Sequence, residues 1–253
     1  MFSDKTRLNR VEEKRKFMNQ IPTIEQMLKA GMHFGHRTSK WHPKMKEYIF
    51  TSRNGVHIID LVKARVMLEN ALEFIKKFSS EGKSILFVGT KMQVKKPLKK
   101  MASETEMPYI IEKWMGGCLT NFFVIKKLIS KYKSLTADKA AGKFIKYTKK
   151  ERLEIDREIK RLEMKVGGLT NMNKLPDAIF VWDIKNEKTA IMEAKKKNIP
   201  IIAVCDTNTN PTDINYIIPS NDDATKTIKL ILAAIGEAIM DGKNNPSGGQ
   251  KNK

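Results

Sequence analysis

The feature that most constrains this chain is a series of five short, nearly continuous apolar runs: SILFVGT (84–90), PYII (108–111), AIFVW (178–182), IIAVC (201–205) and YII (216–218). A strand that is apolar at successive positions must be covered on both faces, which is the condition of parallel strands joined by helical crossovers. Helical stretches lie between the runs, a basic one after Thr90 and others near 187–197 and 221–241. The alternation predicts an α/β fold, a mostly parallel five-stranded sheet with helices on both faces in three layers.

One connection is too long for that scheme. About sixty residues separate Ile111 from Pro176, where a crossover needs only a dozen or so beyond its helix. Within them Phe122, Ile125, Ile129, Tyr132 and Leu135 form one apolar seam, and Ile155, Ile159, Leu162 and Val166 a second. Two such seams hide against each other, so residues 112–165 are expected to form an inserted coiled-coil hairpin. Its tip, roughly 136–149, is polar and basic. Lys126 to Lys165 hold fourteen basic and six acidic residues, either a solvated face or a nucleic-acid contact.

Upstream, Thr23 is placed to cap the helix IEQMLKA, which Gly31 closes. Asn54-Gly55 between apolar runs predicts a hairpin. Asp60 caps a helix whose Leu61, Ala64, Leu68, Leu72, Ile75 and Phe78 share one face, ended by Gly82. The expected organisation is a flexible basic arm (1–21), an α/β domain (22–111 and 166–241), the hairpin, and a disordered polar tail (242–253).

Charge points to the partner. The 253 residues carry a formal net charge of +20, far more than solubility requires, and this implies a polyanion. Residues 1–165 hold 37 basic and 18 acidic residues, whereas 166–242 hold 8 and 10, so the anion-facing surface belongs to the first two thirds. Within it GMHFGHRTSKWHPKM (31–45) carries three of the four histidines and three basic residues, with a fourth at Lys46 and no acid. Its apolar residues follow neither helical nor strand period, so an irregular anchored loop is expected. Cations that reach phosphates beside rings that stack on bases are how single-stranded or looped RNA is held. Arg37, Lys40, Trp41, His42, Lys44 and Lys46 are therefore candidate RNA contacts, with Arg53, Lys95, Lys96, Lys126 and Lys146 as further basic candidates. The competing reading is a structural loop with solvated lysines. For Trp41 the expectation leans towards an anchor in the core.

Two unrelated cysteines, Cys118 and Cys205, indicate neither a disulfide framework nor a cysteine zinc site. No apolar run approaches a membrane span and no signal peptide is evident, so a soluble, cytoplasmic protein is expected. No Gly-x-Gly follows a strand and no P-loop is present. The turn Gly89-Thr90-Lys91 could hold one phosphate weakly. Asp183 and Asp206 end parallel strands, and with His33 or His36 nearby they could form an imidazole–carboxylate zinc or protein-partner site. Capping of local turns is the competing reading and the favoured one. No catalytic residue and no cofactor is indicated beyond that zinc possibility. The alternative function is a nucleotide-binding enzyme of the same fold.

Read in order, LKAGMHFGHRTSKWHPKMKEYIF, RNGVHIIDL, ILFVGTK, the stretch from MPYI to LTNF, LPDAIFVWD, IPIIAVCDTNTNP and IPSNDDA resemble the successive motifs of the bacterial-type small-subunit ribosomal protein two family, over about residues 22–240. The resemblance implies a flavodoxin-like five-stranded parallel sheet with an inserted coiled-coil hairpin. It also implies a non-enzymatic structural protein of the small ribosomal subunit that binds its RNA where head meets body on the solvent side, among other small-subunit proteins, and supports docking of ribosomal protein one. Through it the segment around Trp114 and Asn121 joins the candidate RNA surface, or else serves as a joint between sheet and hairpin. It implies a cytoplasmic, bacterial-type protein with no homo-oligomer, an organellar origin or an extra-ribosomal adaptor role being alternatives.

Overall fold

A computed structural model of the chain describes residues 21–246. The expected basic arm, apart from Ile21, and most of the polar tail lie outside the described residues. Ile21 itself is buried. Strands β4 (Ile85–Val88), β5 (Tyr109–Ile110), β6 (Ala178–Val181), β7 (Ile201–Cys205) and β8 (Tyr216–Pro219) form the five-stranded parallel sheet, in the order β5-β4-β6-β7-β8. All residues of β4, β6 and β7 are buried, as their unbroken apolar character requires. The chain divides into two compact units, one formed by residues up to Lys83 and from Ile202 onward, the other by Ser84–Ile201.

In the first unit, α1 (Ile24–Ala30) opens with a reciprocal capping box between Thr23 and Gln26 and closes at Gly31 with φ +79°. Strands β1 (Phe34–Arg37), β2 (Ile49–Arg53) and β3 (Val56–Ile59) form a second sheet, antiparallel, in the order β1-β3-β2. Residues Asn54 and Gly55 have φ of +52° and +74°, as a two-residue turn that follows the strand twist demands. The stretch from Gly31 to Met45 is therefore not wholly irregular. It holds strand β1 and a short 3-10 turn (Thr38–Lys40), with a second turn beginning at Pro43. Pairing of β1 with β3 is a long-range event, which local periodicity does not report.

Helix α2 (Leu61–Ser80) is capped by the Asp60 carboxylate, which accepts from the amides of Val62 and Lys63. Its buried face is Leu61, Ala64, Leu68, Ala71, Leu72 and Ile75; Phe78 is only half-buried and stacks with Phe74. This face packs on α7 (Thr225–Asn244) and on β8. Helix α7 runs three residues past the expected boundary at 241 because its last turn remains docked, with Lys76 paired to Asp241 and Gly242 buried.

In the second unit, α3 (Met92–Glu104) follows β4, and the long connection holds α4 (Phe122–Ala140) and α5 (Lys149–Val166), packed on each other. Their seam is buried near the base, at Ile125, Ile129, Ile159, Leu162 and Val166, and only half-buried at Tyr132, Leu135 and Ile155. Lys131–Glu158 (2.9 Å) and Lys139–Asp156 (2.7 Å) bridge the two helices where the apolar contact thins. Thr148 and Glu151 form a capping box at the start of α5. Helix α6 (Lys188–Lys196) supplies the residue that fixes the hairpin's root. Its Glu193 is buried and accepts from the Trp114 indole (3.0 Å), the amides of Gly117 (2.7 Å), Leu119 (2.9 Å) and Thr120 (3.0 Å), and the Thr120 hydroxyl (3.0 Å). Gly117 presents its amide from φ +90°, a conformation that favours glycine. Burial raises the Glu193 pKa, but the bonds from Trp114, Thr120, Leu119 and Gly117 outweigh it and hold the carboxyl below its ordinary value.

Two outcomes follow from these contacts. A carboxylate that accepts five hydrogen bonds contributes stability above its unfolded pKa, ordinarily 4.5, and loses it as pH falls through the lower folded value. Glu193→Gln is expected to lower unfolding free energy by roughly 1.5–3 kcal/mol at neutral pH, and urea titrations should show the deficit shrinking below about pH 4.5. At Gly35, an added Cβ would stand 2.6 Å from the Thr207 methyl and 3.1 Å from the His57 carbonyl oxygen. Gly35→Ala is thus expected to destabilise by about 1–3 kcal/mol, read in the same titration.

Candidate nucleic-acid interface

The stretch from Gly31 to Lys46 is held by its backbone and by two methionines. Met32 and Met45 are fully buried. Asn221 donates its amide to the Met32 carbonyl (3.1 Å) and its side chain to the Gly31 carbonyl (3.2 Å). Thr207 grips the stretch twice: its hydroxyl accepts from the His36 amide and its carbonyl from the His42 amide, both at 2.8 Å. Trp41, expected as the anchor, is 36% exposed and rests against His57 with ring centroids 5.3 Å apart. The unbranched methionines fill the irregular space beneath the turns instead.

With the backbone so fixed, the cations face outward. Arg37, Lys40, Lys44, Lys46 and Arg53 are exposed and His42 half-buried. The Lys44 ammonium bonds the Thr212 hydroxyl (2.7 Å), and the His42 Nδ1 accepts from the Lys44 amide (3.3 Å). Register places Arg37 and Arg53 opposite Val56 from either side, on one rung of the antiparallel sheet. Their backbones are about 10 Å apart, two strand spacings. Two exposed aromatics belong to the same sheet, Phe34 on β1 and the 74% exposed Phe50 on β2. Phe50 was missed in the sequence because EYIFT reads as a strand with a buried face, and only the sheet shows which face is open.

In the second unit the candidates separate by role. Lys96, Lys126 and Lys146 are exposed, and the Lys146 ammonium lies 6.0 Å from the Tyr147 ring centroid. Lys95 is half-buried and paired with Glu112 at 2.6 Å, so its charge is matched locally. Trp114 is 8% exposed with its N–H bound to Glu193, which makes it part of the hairpin's root and not a free stacking surface. Asn121 stands at the N-cap position of α4, exposed, without a capping side-chain bond; the neighbouring Thr120 has its hydroxyl on Glu193. Cys118 is buried beside this joint, its thiol pushed up to about 12 by burial and by the Glu193 charge.

The four residues of the possible metal set do not come together as a group. Asp183 accepts from the Lys185 and Asn186 amides and the Asn186 side chain, with Lys91 at 3.6 Å. Thr90 donates to the buried Glu187 (2.5 Å). The groups of the Gly89–Lys91 turn thus face two carboxylates, an arrangement that repels a phosphate. His33 packs its ring on Phe34 at 4.0 Å, and burial lowers its pKa. His36 and Asp206 do meet, Nδ1 to Oδ2 at 3.1 Å, and Asp222 joins them. The hydrogen bond and charge of Asp206, against the cost of burial, raise the His36 pKa, with Asp222 and Asp223 adding to it. Among the described residues no helix is long and apolar enough to cross a membrane.

Comparison with known proteins completes the description. Residues 27–242 match the family model for ribosomal protein S2. The chain is 45% identical over 228 residues to small ribosomal subunit protein uS2 of Coprothermobacter proteolyticus, covering 90% of this chain and 85% of that protein. It is 47% identical over 222 residues to the uS2 of Flavobacterium psychrophilum, covering 88% and 84%. Against the uS2 of Chlorobaculum parvum it is 47% identical over 221 residues, covering 87% and 88%. A match across nearly the whole α/β framework, the hairpin and the basic stretch of β1 shows that the chain belongs to the ribosomal protein S2 family.

Proposed function

We propose that this protein is a structural component of the small ribosomal subunit that binds its RNA through the antiparallel sheet and the turns around it, without performing a chemical reaction. Membership of the S2 family carries the reading, and the exposed cations at Arg37, Lys40, Lys44, Lys46 and Arg53 support its placement on this face. Phosphate contacts from these side chains supply affinity. The exposed rings of Phe34, Trp41 and Phe50 offer stacking platforms for unpaired bases. The exposed lysines of the hairpin, Lys126 and Lys146 among them, form a second basic surface. A cytoplasmic place at the junction of head and body on the solvent side, contact with other small-subunit proteins, and support for the docking of ribosomal protein one complete the proposal; they rest on the family resemblance.

The enzyme reading finds no support in the sheet's loop ends, where Asp183, Glu187, Lys91 and Thr90 are bound to one another or to local backbone.

Joint replacement of Arg37, Lys40 and Lys44 by Ala removes three proposed phosphate partners from exposed positions. The free protein should melt within ~0.5 kcal/mol per site of the parent. Its affinity for S2-depleted small subunits, measured by sedimentation over a salt series, should fall, and the log–log salt slope should flatten by about 2. Parent-like binding at physiological salt would remove this face and favour the hairpin lysines. Trp41→Ala is expected to leave melting nearly unchanged, since the ring is not in the core, while weakening subunit binding by ~1–3 kcal/mol. A large loss of free stability with unchanged binding would contradict the stacking role.

A further inference from the structure

We propose that Asn54 is a site of spontaneous covalent modification: the Gly55 nitrogen displaces its side-chain amide, which leaves aspartate and isoaspartate in the turn between β2 and β3. Asn54-Gly55 is the one Asn-Gly pair in the 253 residues. The bond that forms joins the Gly55 nitrogen to the Asn54 side-chain carbon, Cγ. The Cγ–Nδ2 bond breaks, and the side-chain nitrogen leaves as ammonia with the proton of the Gly55 amide. Water then opens the cyclic imide at either carbonyl. One opening gives aspartate; the other gives isoaspartate, whose main chain runs through Cβ and Cγ. Water is the only co-reactant, and nothing is oxidised or reduced.

The turn leaves both reacting atoms open. Asn54 and Gly55 are exposed, and a Cβ added to Gly55 would meet nothing within 4 Å. Among the described residues the Asn54 side chain has no hydrogen-bond partner and the Gly55 nitrogen donates to none; only the Gly55 carbonyl is held, by the Thr38 amide at 2.9 Å. Glycine brings no Cβ to hinder the attack. Residues Phe50 to Arg53 of β2 are exposed, so the backbone swing that carries the nitrogen onto Cγ opens the end of a ladder and disturbs no core. The chain's one Asp-Gly pair, Asp241-Gly242, is the internal contrast: it lies within α7, with Asp241 paired to Lys76 and Gly242 buried against the Lys76 carbonyl. The products bear on the RNA face, and this consequence rests on the reading proposed above. Arg53 directly precedes the turn and shares a rung with Arg37 through Val56. A new carboxylate beside Arg53 offsets its charge. Isoaspartate lengthens the main chain by an atom, in a two-residue turn whose register depends on φ of +52° and +74°. Either product withdraws Arg53 from a phosphate.

The test ages the full-length protein at growth temperature over a series of pH values in heavy-oxygen water. Its peptides are then mapped by mass spectrometry, and isoaspartate is read by enzymatic methyl transfer to its carboxylate. Asn54 is expected to be the first asparagine to convert, taking up heavy oxygen, and to convert faster as pH rises because the attacking nitrogen must lose its proton. Asn54→Gly removes the amide and keeps a turn pair that accepts positive φ, so it is the unreactive control. Aged parent should bind S2-depleted small subunits about two- to fivefold more weakly than fresh parent. Its log–log salt slope should flatten by roughly 0.7–0.9, while ageing should leave binding by Asn54→Gly unchanged. Unaged Asn54→Asp, melting like the parent, should reproduce the loss through charge alone. Retention of the Asn54 amide while other asparagines convert, or a conversion rate independent of pH, would overturn the modification. Aged parent that binds as tightly as fresh parent would overturn its effect on the RNA face. The chemistry is read on isolated protein, so parent-like binding by the Arg37, Lys40 and Lys44 variant would sink the RNA face and leave the modification standing.

Discussion

The candidate interface depends on the turn that follows β7, where Asp206 and Thr207 collect the backbone of a segment some 170 residues away in sequence. Thr207 accepts the amides of both His36 and His42, and Asp206 faces the His36 imidazole. A stretch with four cations and no acid repels itself and has little apolar content with which to fold alone. Two backbone bonds from one threonine, the bonds from Asn221 to Gly31 and Met32, and burial of Met32 and Met45 position it nonetheless. None of these contacts uses a lysine or arginine side chain. Anchoring by backbone and methionine leaves the charges directed to solvent, as binding to a polyanion requires.

The second unit solves a similar problem with a different group. A joint containing two adjacent glycines has backbone donors that no regular element satisfies, and burying them unpaired would be costly. Glu193 reaches from α6 to take three amides, an indole N–H and a hydroxyl. Its negative charge strengthens each bond, and the bonds in turn offset its desolvation. The basic hairpin therefore projects from a fixed root, with ion pairs and a thinning apolar seam along its length.

What the sequence disclosed, and what it hid, follows from the range of the interactions. Strand runs, the Asn54-Gly55 turn, the Thr23 and Asp60 caps and the paired seams are local patterns, and the structure forms all of them where the sequence places them. Pairing of β1 with β3 was not visible, because a four-residue strand gives too little alternation to separate from a loop. Trp41 is more exposed than the core anchor expected of it, and Trp114 takes the joint role, one of the two readings open for it. Composition sees an indole in each case, while exposure is decided by distant partners, an acid on α6 for Trp114 and buried methionines in place of Trp41. Asp222 went unnoticed within SNDDA because its neighbours in space, His36 and Asp206, are remote in sequence. Lys95 looked equivalent to Lys96 until Glu112 was found beside it.

Charge placement separates folding from binding in this molecule. Residues 166–242 are close to neutral and contribute buried strands, α6 and most of α7, whereas the excess of cations lies in residues 1–165. Among the buried acids, Glu193, Asp206, Glu187 and Asp183 serve backbone donors, hydroxyls, a side-chain amide or an imidazole within the fold. Acids kept in such internal roles do not neutralise the exposed lysines and arginines of β1, β2 and the turns. A positive face of this kind raises the local concentration of a polyanion and speeds encounter, and the rigid backbone beneath it limits the conformational entropy lost on docking. Affinity is then set by phosphate contacts and remains responsive to salt, while register on the RNA is set by the fixed spacing of Arg37 and Arg53 across the sheet.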